Sequence, residues 1–357
     1  MCQTAPTILE HYAASAGLSR DLVGFATKGD LAHRLSANPF LMAPMAGVSN
    51  SAWRIMARAA GAALAYSEMV SVAGLHFGAN KTWELAEPQA PEPDLAVQLF
   101  GSKPEQFYEA AQKLVVRLER RLVLIDINMA CPVPKVMRKG EGAALMEEPL
   151  RAGQIVDACK RGVQEACGQL GAQRIAVTCK IRRGIADSEL APDFAEQLEA
   201  AGADAIAVHG RFACQLYRGK ADWGTISRVA SRVTIPTIAS GDILSADDAL
   251  RVLQQTGATA AMVARGSYGN PWIFSDARQL LAHHTPEAHD VRQRLSAMAC
   301  HVRLLDVTGA HMVRARSLAG WYLKGLPDAA RWRNLAMACS RVQDFLGLID
   351  QIERELI

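Results

Sequence analysis

Eight short runs rich in apolar and β-branched residues punctuate the chain: "PFLMAP" (39–44), "AALAYSEM" (62–69), "DLAVQLFG" (94–101), "LVLIDINMA" (122–130), "RIAVTCKIR" (174–182), "DAIAVHGR" (204–211), "IPTIASGD" (235–242) and "TAAMVARG" (259–266). Their apolar positions are mostly continuous, which suits parallel strands covered on both faces. Between them lie stretches with helical spacing, such as 105–119 and 192–201. The segment "SADDALRVLQQTG" (245–257) opens on a serine cap and closes on a glycine. Eight β-then-α units in about 230 residues predict an α/β chain with a (β/α)8 TIM barrel rather than a doubly wound sheet. No GxGxxG opens a helix after the first run, which counts against a dinucleotide-binding Rossmann unit. The pattern divides the chain into a lead-in helix or disordered arm (1–38), the barrel (39–282) and a C-terminal helical region (283–357) that begins at the linker "LLAHHTPEAHD" (280–290).

Composition narrows the function classes. Half of the 357 residues are hydrophobic, enough for a large core, and the net charge of +3 does not by itself announce a nucleic-acid partner. The charge is unevenly spread, however. Positions 292–333 carry Arg292, Arg294, Arg303, Arg314, Arg316, Lys324, Arg331 and Arg333 against Asp306 and Asp328, with Trp321, Tyr322 and Trp332 interleaved. Such a tract reads either as a solvated helix face or as a surface for a phosphate backbone. The eight cysteines form no Cys-x-x-Cys pair, which argues against zinc and iron–sulfur sites and predicts thiols of a reducing cytoplasm. No metal, no signal peptide and no membrane span are expected.

The polar residues at the ends of the apolar runs carry the candidate chemistry. They are Met45, Glu68, Gln98, Asn128 with Cys131, Lys180 with Arg182, His209 with Arg211, Asp242 and Arg265. In a barrel these positions converge at one mouth, so together they predict a concave site for a large polar ligand. Gly241 and Gly266, with Arg265, stand where barrels commonly hold a phosphate, although each glycine alone fits a tight turn and Asp242 fits a helix cap. Lys180 reads as a Schiff-base lysine, a cation beside a flavin, or a rim ion pair, and Arg182 shares its strand face. His209 fits a donor to a cofactor oxygen, a base or a barrel cap. For Cys131 the absence of partner cysteines leaves filler, nucleophile and proton donor.

At this point the motifs converge. "MAPMAGVSN" (42–50), "YSEM" (66–69), "VQLFG" (97–101), "DINMACPVPKV" (126–136), "TCKIRRG" (178–184), "VHGR" (208–211), "QLYRGKADW" (215–223), "IPTIASGDI" (235–243), "ARGSYGNPWIF" (264–274) and "GWYLKGLP" (320–327) follow in order over 38–325. The chain resembles the tRNA-dihydrouridine synthases, most closely the bacterial B-type. The resemblance implies an FMN-bound barrel with a helical tRNA-binding domain, reducing the uracil C5=C6 bond at the expense of NADPH. It implies FMN contacts from Pro44, Met45, Ala46, Gln98, Lys180, His209, Ser240, Gly241, Asp242, Ala264 and Arg265. Asn128, Arg182 and Arg211 would lie near the uracil, which takes hydride at C6, and Cys131 would protonate C5. B-type members point to position 17 of the tRNA D-loop, and a monomer is expected. Three residues depart from the family pattern: Ala130 and Ala264 stand where glycine is usual, and Ser240 where asparagine is usual. The rival readings are a flavin barrel acting on a small molecule and a non-enzymatic RNA-binding protein.

Overall fold

The computed structural model describes residues 4–22 and 31–357. Residues 1–3 and 23–30 of the lead-in segment lie outside the described residues; the rest of that segment holds helices Ala5–Tyr12 and Leu31–Ala37. Nine strands follow: β1 (Phe40–Met42), β2 (Leu64–Ala65), β3 (Val70–Ser71), β4 (Leu95–Phe100), β5 (Leu122–Met129), β6 (Ala176–Arg182), β7 (Ala205–His209), β8 (Thr237–Ser240) and β9 (Ala260–Val263). All pairings are parallel, in the order β2-β1-β9-β8-β7-β6-β5-β4-β3.

The count of nine rather than eight has a simple cause. β2 pairs with β1, and β3 pairs with β4, so the two are halves of a single stave interrupted at 66–69. Across the interruption Tyr66 bridges Ala96, and the Ser67 amide donates to the Ala96 carbonyl at 2.9 Å. That bridge closes the curled sheet into the eight-stave TIM barrel the apolar runs predict. Leu41, Leu64, Tyr66, Leu124, Ile238 and Met262 pack its interior, and Leu35 of helix Leu31–Ala37 joins them. A second, larger cluster fills the space between strands and outer helices and continues into the C-terminal helices.

Helix positions follow local chemistry. Helix Pro104–Leu118 starts on a proline at its first turn, and helix Ala191–Ala200 has its proline at the second position. Ser245 accepts from the Asp248 amide at 3.0 Å at the start of helix Ala246–Thr256, and Gly257 ends it in the left-handed region at φ +71°.

The chain beyond residue 290 is helical, with helices Val291–Val307, Arg314–Tyr322, Ala329–Ala338 and Val342–Leu356. The tail docks on helix Ser51–Ala59, which follows β1. Trp53 meets Trp321 edge-on at 5.4 Å and His301 at 4.9 Å, while Tyr268 stacks on Trp321 at 4.1 Å. Gly269 sits at φ +68°, and a Cβ there would lie 2.5 Å from the Trp321 carbonyl oxygen. A side chain at 269 would therefore push the tail off the barrel. The linker is held as well: His289 stacks on Trp272 at 4.4 Å and pairs with Asp276 at 3.0 Å. The N-terminal segment lies against both parts, since the Ala16 carbonyl accepts from Trp272 Nε1 at 2.8 Å and the Tyr12 hydroxyl from Arg303 Nε at 2.9 Å.

Candidate active site

Inside the barrel the apolar packing gives way to polar side chains towards the C-terminal ends of the strands. Gln98, Asp126 and Thr178 sit side by side in register on β4, β5 and β6. Asp126 is fully buried and accepts from Gln98 Nε2 at 2.6 Å and from the Thr178 hydroxyl at 2.6 Å. Two residues further along β5, Asn128 Nδ2 donates to Gln98 Oε1 at 2.8 Å and lies 3.2 Å from Met69 Sδ. Asn128 Oδ1 accepts the amides of Ala130 at 3.2 Å and Cys131 at 2.9 Å. Asn128 thus braces the turn that carries the cysteine.

That turn is folded over by the loop behind it. The Cys131 carbonyl accepts from the Ala143 amide at 3.0 Å. Gly142, at φ +63°, allows the approach: a Cβ there would lie 2.8 Å from the Cys131 carbonyl oxygen. Cys131 is 8% exposed, and burial pushes its thiol above the ordinary value despite the Val133 amide, Arg182 and Lys180. A thiol in this state keeps its proton at neutral pH, which favours a proton donor over a thiolate nucleophile.

Two cations share the inward face of β6. Burial, with Arg182 adding to it and Asp126 and Cys131 opposing, lowers Lys180 from 10.5 to about 8. Arg182 spends its donors on the backbone, at 2.8 Å to the Ala130 carbonyl and at 3.0 and 3.1 Å to those of Phe212 and Leu216. It therefore ties the Cys131 turn to the loop after β7. Burial also drives His209 well below its ordinary value, with Lys180, Arg182, Arg211 and Arg265 adding to the effect, so the ring is neutral. Its Nδ1 accepts the Arg211 amide at 3.3 Å, leaving the proton on Nε2.

The remaining rim is built on an ion pair. Arg211, only 2% exposed, donates through Nη2 to both carboxylate oxygens of Asp242 at 2.7 and 2.8 Å and to the Gly219 carbonyl at 2.6 Å. Arg211 Nη1 is buried without a partner among the described residues. Asp242 adopts φ +54° and also accepts the Ala221 amide at 2.7 Å. Burial works to raise its carboxyl, but the Ala221 amide and Arg211 prevail and hold it below the ordinary value. Ser245, not Asp242, caps the following helix. Arg265 reaches Asp242 at 3.3 Å and lies over the exposed Tyr217 ring at 5.4 Å. The first loop, Pro44 to Ala46, is fixed by Ser49, whose hydroxyl bridges the amide (3.0 Å) and carbonyl (3.1 Å) of Met45. Ser240 ends β8, and Ala264, which follows β9, accepts the Ser267 hydroxyl at 2.8 Å.

The sequence-predicted residues thus gather on one rim. Arg182 and Arg211 are turned into the wall, where backbone carbonyls and Asp242 occupy most of their donors. Sequence reasoning missed Asp126 and Thr178, whose signal was a carboxylate and a hydroxyl inside apolar runs. It also missed that Glu68 joins two parts of the molecule. Glu68 Oε2 accepts the Gly47 amide at 2.6 Å, and Oε1 pairs with Arg314 of the tail at 3.2 Å. A cavity of about 840 Å³ opens elsewhere, beside Leu31, Arg34, Arg120, Asp204 and Pro236, and no rim residue lines it.

Comparison with known proteins bears on the same residues. The family model described as dihydrouridine synthase (Dus) matches residues 41–356. The chain belongs to the dihydrouridine synthase family. The match runs past the last sequence motif, which ends at 327, to the end of the final helix. The chain is 34% identical over 316 residues to a probable tRNA-dihydrouridine synthase 1 of Synechocystis, covering 87% of this chain and 85% of that one. It is 35% identical over 301 residues to tRNA-dihydrouridine synthase B of Pseudomonas aeruginosa, covering 83% and 87%. Its identity to the synthase B of Xanthomonas campestris is 36% over 301 residues, covering 82% and 86%. Within a dihydrouridine synthase fold, the rim at the C-terminal strand ends is where the chemistry belongs.

Proposed function

We propose that this protein is an FMN-dependent tRNA-dihydrouridine synthase that draws on NADPH to reduce the C5=C6 bond of the uridine at position 17 in tRNA. The observation that carries the reading is Cys131, a thiol kept protonated at the mouth of a barrel whose chain belongs to this family. The donor set fits FMN. Gln98, Lys180 and the Nε2–H of His209 are suited to the polar edge of the ring, and Arg265 with the Gly241 amide to the phosphate. Pro44, Met45, Ala46, Ser240, Asp242 and Ala264 complete the wall, in which Arg211 Nη1 keeps an unspent N–H. When bound, FMN supplies the hydride that uracil C6 accepts.

The protein's own groups do the rest. Cys131 gives its proton to C5, where negative charge develops as the hydride arrives. Asn128 keeps the cysteine turn in place, and the Lys180 ammonium would set a positive charge beside a bound FMN ring. The uridine has to leave its stack to reach this site, at a cost of a few kcal/mol. Cations of the tail would offset that cost by holding phosphates.

Cys131→Ala should keep its yellow colour and its affinity for tRNA while losing dihydrouridine formation by about 10²- to 10⁴-fold. Mapping of dihydrouridine in tRNA, from a strain lacking the protein before and after complementation with either form, checks both acid and position. Turnover on a free pyrimidine without tRNA would instead support a small-molecule reductase.

A further inference from the structure

Asp126 has no part in the reaction as described, yet it is the fully buried carboxylate under the site. Its neighbours form a chain with a direction. Both oxygens of Asp126 accept, one from Gln98 Nε2 and the other from the Thr178 hydroxyl, so the group of Gln98 facing it is the amide nitrogen. Gln98 then has to turn its carbonyl towards Asn128. Asn128 in turn has to present its nitrogen to Gln98 and its carbonyl to the amides of Ala130 and Cys131. A carboxamide alone can sit either way round with little change in shape. Two carboxamides in series therefore have two polarities, and the acceptor-only group at the foot of the chain selects the one in which Asn128 can receive the two donor amides at its head.

We propose that Asp126 is a positioning residue, whose carboxylate sets the direction of the Gln98–Asn128 chain and so seats the turn that carries Cys131. The inference rests on the proposed role of Cys131 for its importance but not for its test. The charges around it agree with the assignment. Burial raises the Asp126 carboxyl, but Gln98, Thr178 and Lys180 all act to keep it ionised. On the surrounding elements Tyr66 and Cys179 are driven up and His209 is driven down, so these three are neutral near pH 7. Cys131 too keeps its proton, leaving Lys180 as the cation that acts on Asp126.

The chain predicts a pattern of amide exchange that needs neither cofactor nor tRNA. Hydrogen exchange at the Ala130 and Cys131 amides would be measured in the purified wild type, Asp126→Leu and Asp126→Asn. Leucine fills the volume but accepts nothing, so those two amides should exchange about tenfold faster, the loss of roughly one hydrogen bond. Asparagine can still offer its oxygen to Gln98 and its nitrogen to the Thr178 hydroxyl, so it should restore most of the protection. If Asp126→Leu does not fold, Gln98→Leu breaks the same chain one link higher and should speed exchange at the same two amides. Wild-type protection in whichever of these leucine variants folds would overturn the proposal, as would equal loss in Asp126→Asn and Asp126→Leu. A wild type that makes no dihydrouridine would sink the proposed function and leave the exchange result standing.

Discussion

An ammonium on the inward face of β6, almost closed off from water and two residues from Arg182, binds its proton less tightly than the same lysine in the unfolded chain. Lys180 falls from 10.5 to about 8, chiefly through burial. Below pH 8 both states hold the proton and the folded state bears the whole penalty. Between pH 8 and 10.5 the folded chain gives the proton up first, and the penalty fades. Lys180→Met should therefore stabilise the protein at pH 7 by up to about 3 kcal/mol, and by progressively less as pH rises. Urea unfolding at pH 7 and 9.5 checks the sign. The same variant should hold FMN poorly, so flavin retention and stability should move in opposite directions. Lys180 could be read from the sequence because it ends an apolar run, where a charge stands out. Asp126 could not be read in the same way. It sits mid-run, where a single carboxylate in "LVLIDINMA" gives no hint of which neighbours on β4 and β6 would satisfy it. The expected places of Arg182 and Arg211 near the uracil came from the family resemblance, which does not reveal that carbonyls of the β7 loop and Asp242 take up most of their donors.

The loop after β1, the interrupted stave and the helix Arg314–Tyr322 meet at one carboxylate. Glu68 is nearly buried, whereas Arg314 is 42% exposed, so their attraction is partly screened by solvent. The hydrogen bond from the Gly47 amide is the better protected of the two contacts. Glu68→Gln keeps an acceptor for Gly47 and should cost about 1 kcal/mol or less, while Glu68→Ala should cost roughly 2 kcal/mol. A double-mutant cycle of Glu68→Gln with Arg314→Gln, followed by urea unfolding, separates the two. A coupling well above 1 kcal/mol would mean that the ion pair is more shielded than its exposure implies. The strand starts and the three helical segments read from the sequence came within a residue or two, because proline starts, serine caps and glycine ends act locally. The interruption at 66–69 was not, since "AALAYSEM" reads as one apolar run. What breaks it is the need to reach β1 on one side and β4 on the other.

Across the whole molecule the basic tract is less free than its sequence implies. Arg292 pairs with Glu353 and Arg331 with Glu355, carboxylates of the last helix that lie beyond the tract and fold back on it. Among the cations of the tract with no carboxylate partner in the described residues are Arg316, Lys324 and Arg333. Replacing these three by glutamine should weaken tRNA binding and flatten its dependence on salt by roughly 0.7–0.9 in log–log slope per cation. The same change at Arg292 and Arg331 should do little; equal slopes for both sets would mean that none of the tract touches the backbone. Local charge counting found the tract, but only the fold could reveal its partners. The gap in the second stave has a mechanical side as well. Freed from the alternation of a continuous strand, adjacent residues serve different masters: Glu68 faces the tail through Arg314, and Met69 touches Asn128. The contact with the tail and the contact with the residue that braces the cysteine turn are therefore one peptide bond apart, and the two parts of the molecule meet at the barrel rim without the core between them.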